Sequence, residues 1–295
     1  MTTNRTKLFT LLGDYPCSLP IKQGKVSSDL VEFEFADIKV ANTGFKPLVR
    51  EAKFDLGELA IVTFLQAKAY NKPYVLMPAL VVARAQHHTI AYNSERGELK
   101  PADLAGKRVG VRAYSVTTGV WVRGILQKQF GVDLDKIRWV TFEDPHVAEY
   151  TDPPGMERAA AGKNIVQMLL DGELDAAVVG DKLPDPRLKT LIPDLENSTR
   201  IWGEQHGNPI NHMLVIRSEI SRTRPDIVRD VFRIFKESRD IAIQSGNKNA
   251  AQLTYGLEAN RRALETIIGL VFEQKLIPRR FSVEELFDDT TRGLV

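Results

Sequence analysis

All five histidines of this 295-residue chain, His87, His88, His146, His206 and His212, lie in segments that read as loops or crossovers, and imidazole is the side chain that exchanges protons near neutral pH. Two of them close the run Arg84-Ala85-Gln86-His87-His88, which follows an apolar stretch, Val75 to Ala83. In an extended chain Arg84, Gln86 and His88 face one side and His87 the other, so a guanidinium fork, an amide and an imidazole share one wall. That combination suits anion recognition and proton transfer. An edge strand with a solvated face is the plain alternative.

A second group is Arg112-Ala113-Tyr114-Ser115-Val116-Thr117-Thr118-Gly119-Val120-Trp121-Val122-Arg123-Gly124, joining the end of a strand to the start of a helix. Arg112 can grip a carboxylate with two parallel bonds, Thr117 and Thr118 can cap the helix, and Tyr114 or Trp121 can supply an aromatic wall. The neighbouring acidic loop, Glu143-Asp144, offers Arg112 a purely structural partner, and Arg123 reads as a solvated helix residue. Glu143, His146 and Glu149 form the third group and could ligate a divalent metal, although no established metal spacing is present. Gly13-Asp14-Tyr15-Pro16 is a turn at the end of the strand Lys7 to Leu12, where Asp14 and Tyr15 can line a ligand site.

Several chemistries are missing from the sequence. There is no G-x-x-x-x-G-K-[ST], no dinucleotide fingerprint and no G-x-S-x-G elbow, and the one cysteine, Cys17, has neither a thiol partner nor a nucleophile motif around it. A formal net charge of +2 is spread over 40 basic and 38 acidic residues without a basic block, which argues against a nucleic-acid partner. No run reaches membrane-spanning length, and the N-terminus lacks the apolar stretch of a secretory signal. The expectation is a cytoplasmic protein, or a periplasmic one whose signal was removed.

The elements that must position these residues follow a βαβ rhythm, so the expected class is α/β with mixed sheets flanked by helices. Strands are expected at Lys7 to Leu12, Leu30 to Phe35, Val75 to Ala83, Val109 to Val111, Ile137 to Phe142, Asp175 to Val179 and Ile210 to Arg217. Helices are expected at Gly44 to Glu51, Ile61 to Tyr70, Val120 to Phe130, Ile165 to Leu170, Arg224 to Gln244 and Asn260 to Glu273, with a break at Gly57. Residues 1–94 and 206–295 are read as one lobe and 95–205 as an inserted second lobe. Crossover strands near His88 to Asn93 and around residues 200 to 212 would form a hinge, with a ligand cleft between the lobes that closes on a small anion.

At these residues the chain resembles the 4,5-dihydroxyphthalate decarboxylase-like proteins, which share the type II periplasmic-binding-protein fold with ABC-transporter substrate-binding proteins. The resemblance is carried by Phe54-Asp55-Leu56-Gly57-Glu58-Leu59-Ala60, Arg84 to His88, Asp103 to Val111, Thr117 to Gly124, Gly131-Val132 before Trp139-Val140, and Asp171 to Ala176. Gly57 and Gln86 depart from the decarboxylase pattern. The resemblance implies non-oxidative loss of CO₂ from a hydroxylated aromatic carboxylate with no organic cofactor. Arg84 and Arg112 would hold carboxylate, His88 or His212 would donate the proton, and Glu58 would engage a ring hydroxyl. The rival is a binding protein that delivers the anion to a membrane transporter without turnover.

Overall fold

The computed structural model describes residues 5–295. Its strands are β1 (Thr6–Leu11), β2 (Val31–Phe35), β3 (Leu56–Ala60), β4 (Tyr74–Ala83), β5 (Ile90–Asn93), β6 (Arg108–Val111), β7 (Arg138–Thr141), β8 (Glu157–Arg158), β9 (Ala176–Val178), β10 (Leu188–Thr190) and β11 (Ile210–Arg217). The chain divides into two compact units. One takes the chain up to Ala83, Ile210–Ile268 and Ile277–Val295; the other takes Arg84–Pro209 and Gly269–Leu276. The first divide falls earlier than residue 94 because β5 pairs with β9 and β10, which places Arg84 to Asn93 in the second unit.

The first unit holds a five-stranded sheet in the order β2-β1-β3-β11-β4. Strand β1 runs parallel to both β2 and β3, while β11 runs antiparallel to β3 and β4. Because β2 and β3 lie on opposite sides of β1, the carboxyl ends of β1 and β3 form a topological switch point, where open α/β sheets bind ligands. Leu8, Leu56, Met77, Leu214 and Ile216 pack from this sheet into one apolar cluster with Ile227, Val231 and Phe235. Those last residues share a face of the helix Pro225–Gln244 at the spacing of an amphipathic helix, and Pro225 starts it at a position where no backbone donor is lost.

Gly57 does not break the chain before a helix; it lies inside β3. A methyl group there would stand 3.0 Å from Leu48 and 3.1 Å from Leu11, so the strand lies close against the helix Phe45–Glu51.

The second unit holds a six-stranded sheet, β10-β5-β9-β6-β7-β8, with Ala91, Val140, Leu169, Leu174 and Ala177 in its core. The helix Thr117–Phe130 follows β6 and stops at Gly131, whose φ of 66° admits the left-handed cap that an ordinary side chain disfavours. Residues 195–206 form a helix where the sequence suggested a crossover strand; Asp194 caps it by accepting from the Asn197 N–H at 3.4 Å.

Candidate functional site

Glu58 is fully buried in the middle of β3, an expensive place for a carboxylate unless donors surround it. Three do. The Gly13 N–H donates to Oε1 at 2.6 Å, the Tyr15 hydroxyl donates to Oε2 at 3.0 Å, and His212 Nδ1 lies 2.6 Å from Oε2.

Strand pairing accounts for the convergence. Leu214 stands opposite Glu58 across the β3–β11 ladder, so His212, two residues earlier, is its diagonal neighbour on the same face. The register of β11 against β4 is irregular around His212, a feature that re-aims side chains at sheet sites. Gly13 and Tyr15 arrive from the turn after β1, whose Leu11 pairs with Gly57. The Tyr15 ring folds back over Gly13, where a Cβ would stand 2.8 Å from the hydroxyl oxygen.

With Nδ1 donating to a carboxylate, the His212 proton is fixed there and Nε2 becomes the nitrogen that exchanges protons. Phe45 meets the ring edge to face at 5.1 Å between centroids. The His212 side chain is 20% exposed and that of Glu58 0%, so the imidazole can reach a ligand and the carboxylate cannot. Glu58, expected at a ring hydroxyl, is sealed instead against His212 and Tyr15. Asp14 points to solvent and pairs with Lys22.

In the second unit, Arg84 Nη1 and His88 Nε2 lie 3.1 and 3.0 Å from the same oxygen of Asp181. The His88 hydrogen bond, aided by the Arg84 charge against a smaller opposing effect of burial, holds the Asp181 carboxyl below the usual carboxylate range. Nothing in the sequence pattern singles out Asp181, which lies in the loop after β9 with Asp185 four residues on. The expected alternation through residues 84–88 is replaced by a 3-10 turn at His87–Thr89. Gln86 is buried and donates from Nε2 to the Arg84 carbonyl at 2.9 Å, so it does not share a ligand-facing wall with Arg84 and His88. His87 is also buried, with Nε2 2.9 Å from Gln129 Oε1, and burial lowers its pKa.

Arg112 Nη1 is 3.5 Å from Glu143, and the Arg112 carbonyl accepts from the Phe142 and Glu143 N–H groups at 2.9 and 2.8 Å. The residue thus meets the acidic loop through both its side chain and its backbone. Val116, not a threonine, occupies the helix N-cap, and Thr117 and Thr118 are the first helical residues. Trp121 is fully buried against Trp202, their centroids 6.3 Å apart, and belongs to the core instead of an aromatic ligand wall. Tyr114 is covered by Arg123, whose guanidinium carbon lies 3.8 Å from the ring centroid. Arg123 is not solvated: it is fully buried, donating Nε to Gln274 Oε1 at 2.7 Å and Nη2 to the Tyr114 carbonyl at 2.5 Å.

Among the described residues no three His, Cys, Asp or Glu side chains gather closely enough to hold an ion, and Glu143 and Asp144 turn instead to Arg112 and Arg158. Cys17 is buried and its thiol pKa is pushed up to about 12 by desolvation, which keeps it from acting as a thiolate nucleophile near neutral pH. Among the described residues no helix is long and apolar enough to cross a membrane.

Two mixed sheets flanked by helices, discontinuous in sequence, define the class: this is the periplasmic-binding-protein fold. The aliphatic sulphonate binding protein of Escherichia coli matches 96% of the chain and 98% of its own at a TM-score of 0.60 and 11% identity. The alkanesulfonate-binding protein of Xanthomonas axonopodis matches 96% and 98% at a TM-score of 0.56 and 13% identity. In sequence the chain is similar to the 4,5-dihydroxyphthalate decarboxylases. That of Comamonas testosteroni is 27% identical over 96% of this chain and 97% of its own, and that of Pseudomonas putida is 28% identical over 68% and 82%. No protein-family model matches.

Proposed function

We propose that the protein is a non-oxidative decarboxylase of a hydroxylated aromatic carboxylate, of the 4,5-dihydroxyphthalate kind, with His212 as the proton donor. The observation that carries this reading is the buried Glu58 carboxylate bonded to His212 Nδ1 and to Tyr15. A sealed carboxylate held against one ring nitrogen orients the imidazole and leaves the other nitrogen for a ligand, as a general acid requires. A binding protein needs no such arrangement.

In this reading the hydroxyl para to the departing carboxylate pushes electron density onto the carbon that bears it. His212 Nε2 delivers a proton to that carbon, giving a dearomatised intermediate. The carbon–carbon bond then breaks, its electron pair returns to the ring, and CO₂ leaves. The product carries hydrogen where the carboxylate stood, and His212 recovers its proton from solvent. His88, the other candidate donor, is paired with the half-exposed Asp181 and has no buried carboxylate behind it. Arg84 and Arg112 are the proposed carboxylate-holding cations. The hydroxylated ring itself accommodates the developing charge, so the reading calls for no organic cofactor.

The named sulphonate-binding neighbours favour a second reading, capture of a small organic anion without turnover, and one experiment separates the two. Purified protein is incubated with 4,5-dihydroxyphthalate without added nucleotide, flavin or metal, and CO₂ and dihydroxybenzoate are measured. Stoichiometric formation of both is expected. Saturable binding across hydroxylated benzoates and phthalates with no CO₂ selects the second reading.

A further inference from the structure

Asp181 holds a position that a ligand's carboxylate would contest. It offers a single oxygen, Oδ1, to both Arg84 Nη1 and His88 Nε2, and its side chain is 54% exposed. The two donors sit on a braced turn. Thr89 donates from its hydroxyl and its N–H to the Gln86 carbonyl at 2.7 and 3.1 Å, and the Val179 N–H donates to the Thr89 carbonyl at 2.9 Å. Asp181 follows on the loop beyond, after Gly180, whose φ of 101° is open only to glycine without strain. Asp181 meets the guanidinium through Nη1 alone, with one oxygen, so it leaves half of the fork formed by Nη1 and Nη2 unused. A planar carboxylate lying across the end of the guanidinium would take Nη1 and Nη2 together and still accept from His88.

We propose that Arg84 and His88 form a carboxylate seat and that Asp181 is its resident competitor, displaced when an organic carboxylate binds. This rests on the anionic-ligand part of the proposed function and not on turnover. Asp181 thereby sets specificity: only an anion that engages more of the fork than Asp181 does can displace it, and the apparent affinity is lowered by the fraction of molecules in which Asp181 is seated.

The test is calorimetric titration with phthalate, which lacks the hydroxyls that the decarboxylation needs, so that binding is read without chemistry. Asp181→Asn keeps the shape and removes the charge. It is expected to tighten phthalate binding about 10-fold, since releasing a competing ion pair removes the occupied fraction. The gain should vanish when Arg84→Ala is added. Melting temperatures of each variant check that folding is intact, and Asp181→Ser serves as a second release variant. Unchanged or weaker binding in both Asp181 variants overturns the proposal, as does a gain that survives Arg84→Ala or an absence of phthalate binding in every variant. Failure of wild-type protein to release CO₂ from 4,5-dihydroxyphthalate would instead count against the decarboxylase reading and leave these outcomes readable.

Discussion

Gly13 and Tyr15 act on Glu58 as a pair. The Gly13 N–H reaches one carboxylate oxygen and the Tyr15 hydroxyl the other, and the tyrosine ring lies where a Cβ on residue 13 would be, 2.8 Å from its hydroxyl oxygen. In Gly13→Ala the ring must swing away and its hydrogen bond to Glu58 goes with it. Since Tyr15 is only half-buried, the ring can move at a stability cost of about 1 kcal/mol or less. The expected outcome is that Gly13→Ala and Tyr15→Phe lower the rate of CO₂ release to a similar extent, with the double variant no slower than either, as residues acting through one contact are not additive. Additive losses would show that Gly13 and Tyr15 serve Glu58 separately. Tyr15 follows a strand and His212 lies in one that the apolar runs mark, whereas Glu58 lies in β3, where the sequence suggests a break at Gly57, and Glu58 enters only through the family resemblance. That Glu58 would be sealed was not legible, because burial depends on the β1–β3–β11 pairing, which strand patterns do not specify.

At the scale of elements, the helix Thr117–Phe130 shows where sequence patterns mislead. Its end at Phe130 was readable but its start lies three residues before the expected Val120, and Arg123, a residue type that usually lies at the surface, occupies its fully buried face. The cation is accommodated by the Tyr114 ring at 3.8 Å, the Trp139 ring at 5.3 Å and two oxygen acceptors. Arg123→Ala leaves a cavity and two buried acceptors without their donor, and should destabilise the protein by about 3–5 kcal/mol in denaturant unfolding. A change within 0.5 kcal/mol would show that the guanidinium contributes nothing net. In the Arg84 to His88 segment the expected alternation does not form: Arg84 and His88 both reach Asp181 across a 3-10 turn, while Gln86 turns inward to the Arg84 carbonyl.

Across the whole molecule, the α/β class was readable from the βαβ rhythm, and the family resemblance from short motifs scattered between residues 54 and 176. The partition was less so. Gly269–Leu276 belongs to the second unit although its sequence continues the helix Leu257–Glu273, because Leu270 packs beside Gly124 and Gln274 bonds Arg123. Long-range pairing of this kind leaves no local pattern to read. The central claim is that the first unit carries its own acid, His212, set by Glu58. The most direct measurement compares wild type with His212→Asn for CO₂ release from 4,5-dihydroxyphthalate under single-turnover conditions, with phthalate affinity measured in parallel. Asparagine retains a polar partner for Glu58 but cannot donate a proton at this pH. CO₂ release should fall about 10²- to 10⁴-fold, the range for loss of a general acid, while phthalate affinity changes less than about threefold. CO₂ release by His212→Asn at the wild-type rate would contradict the account.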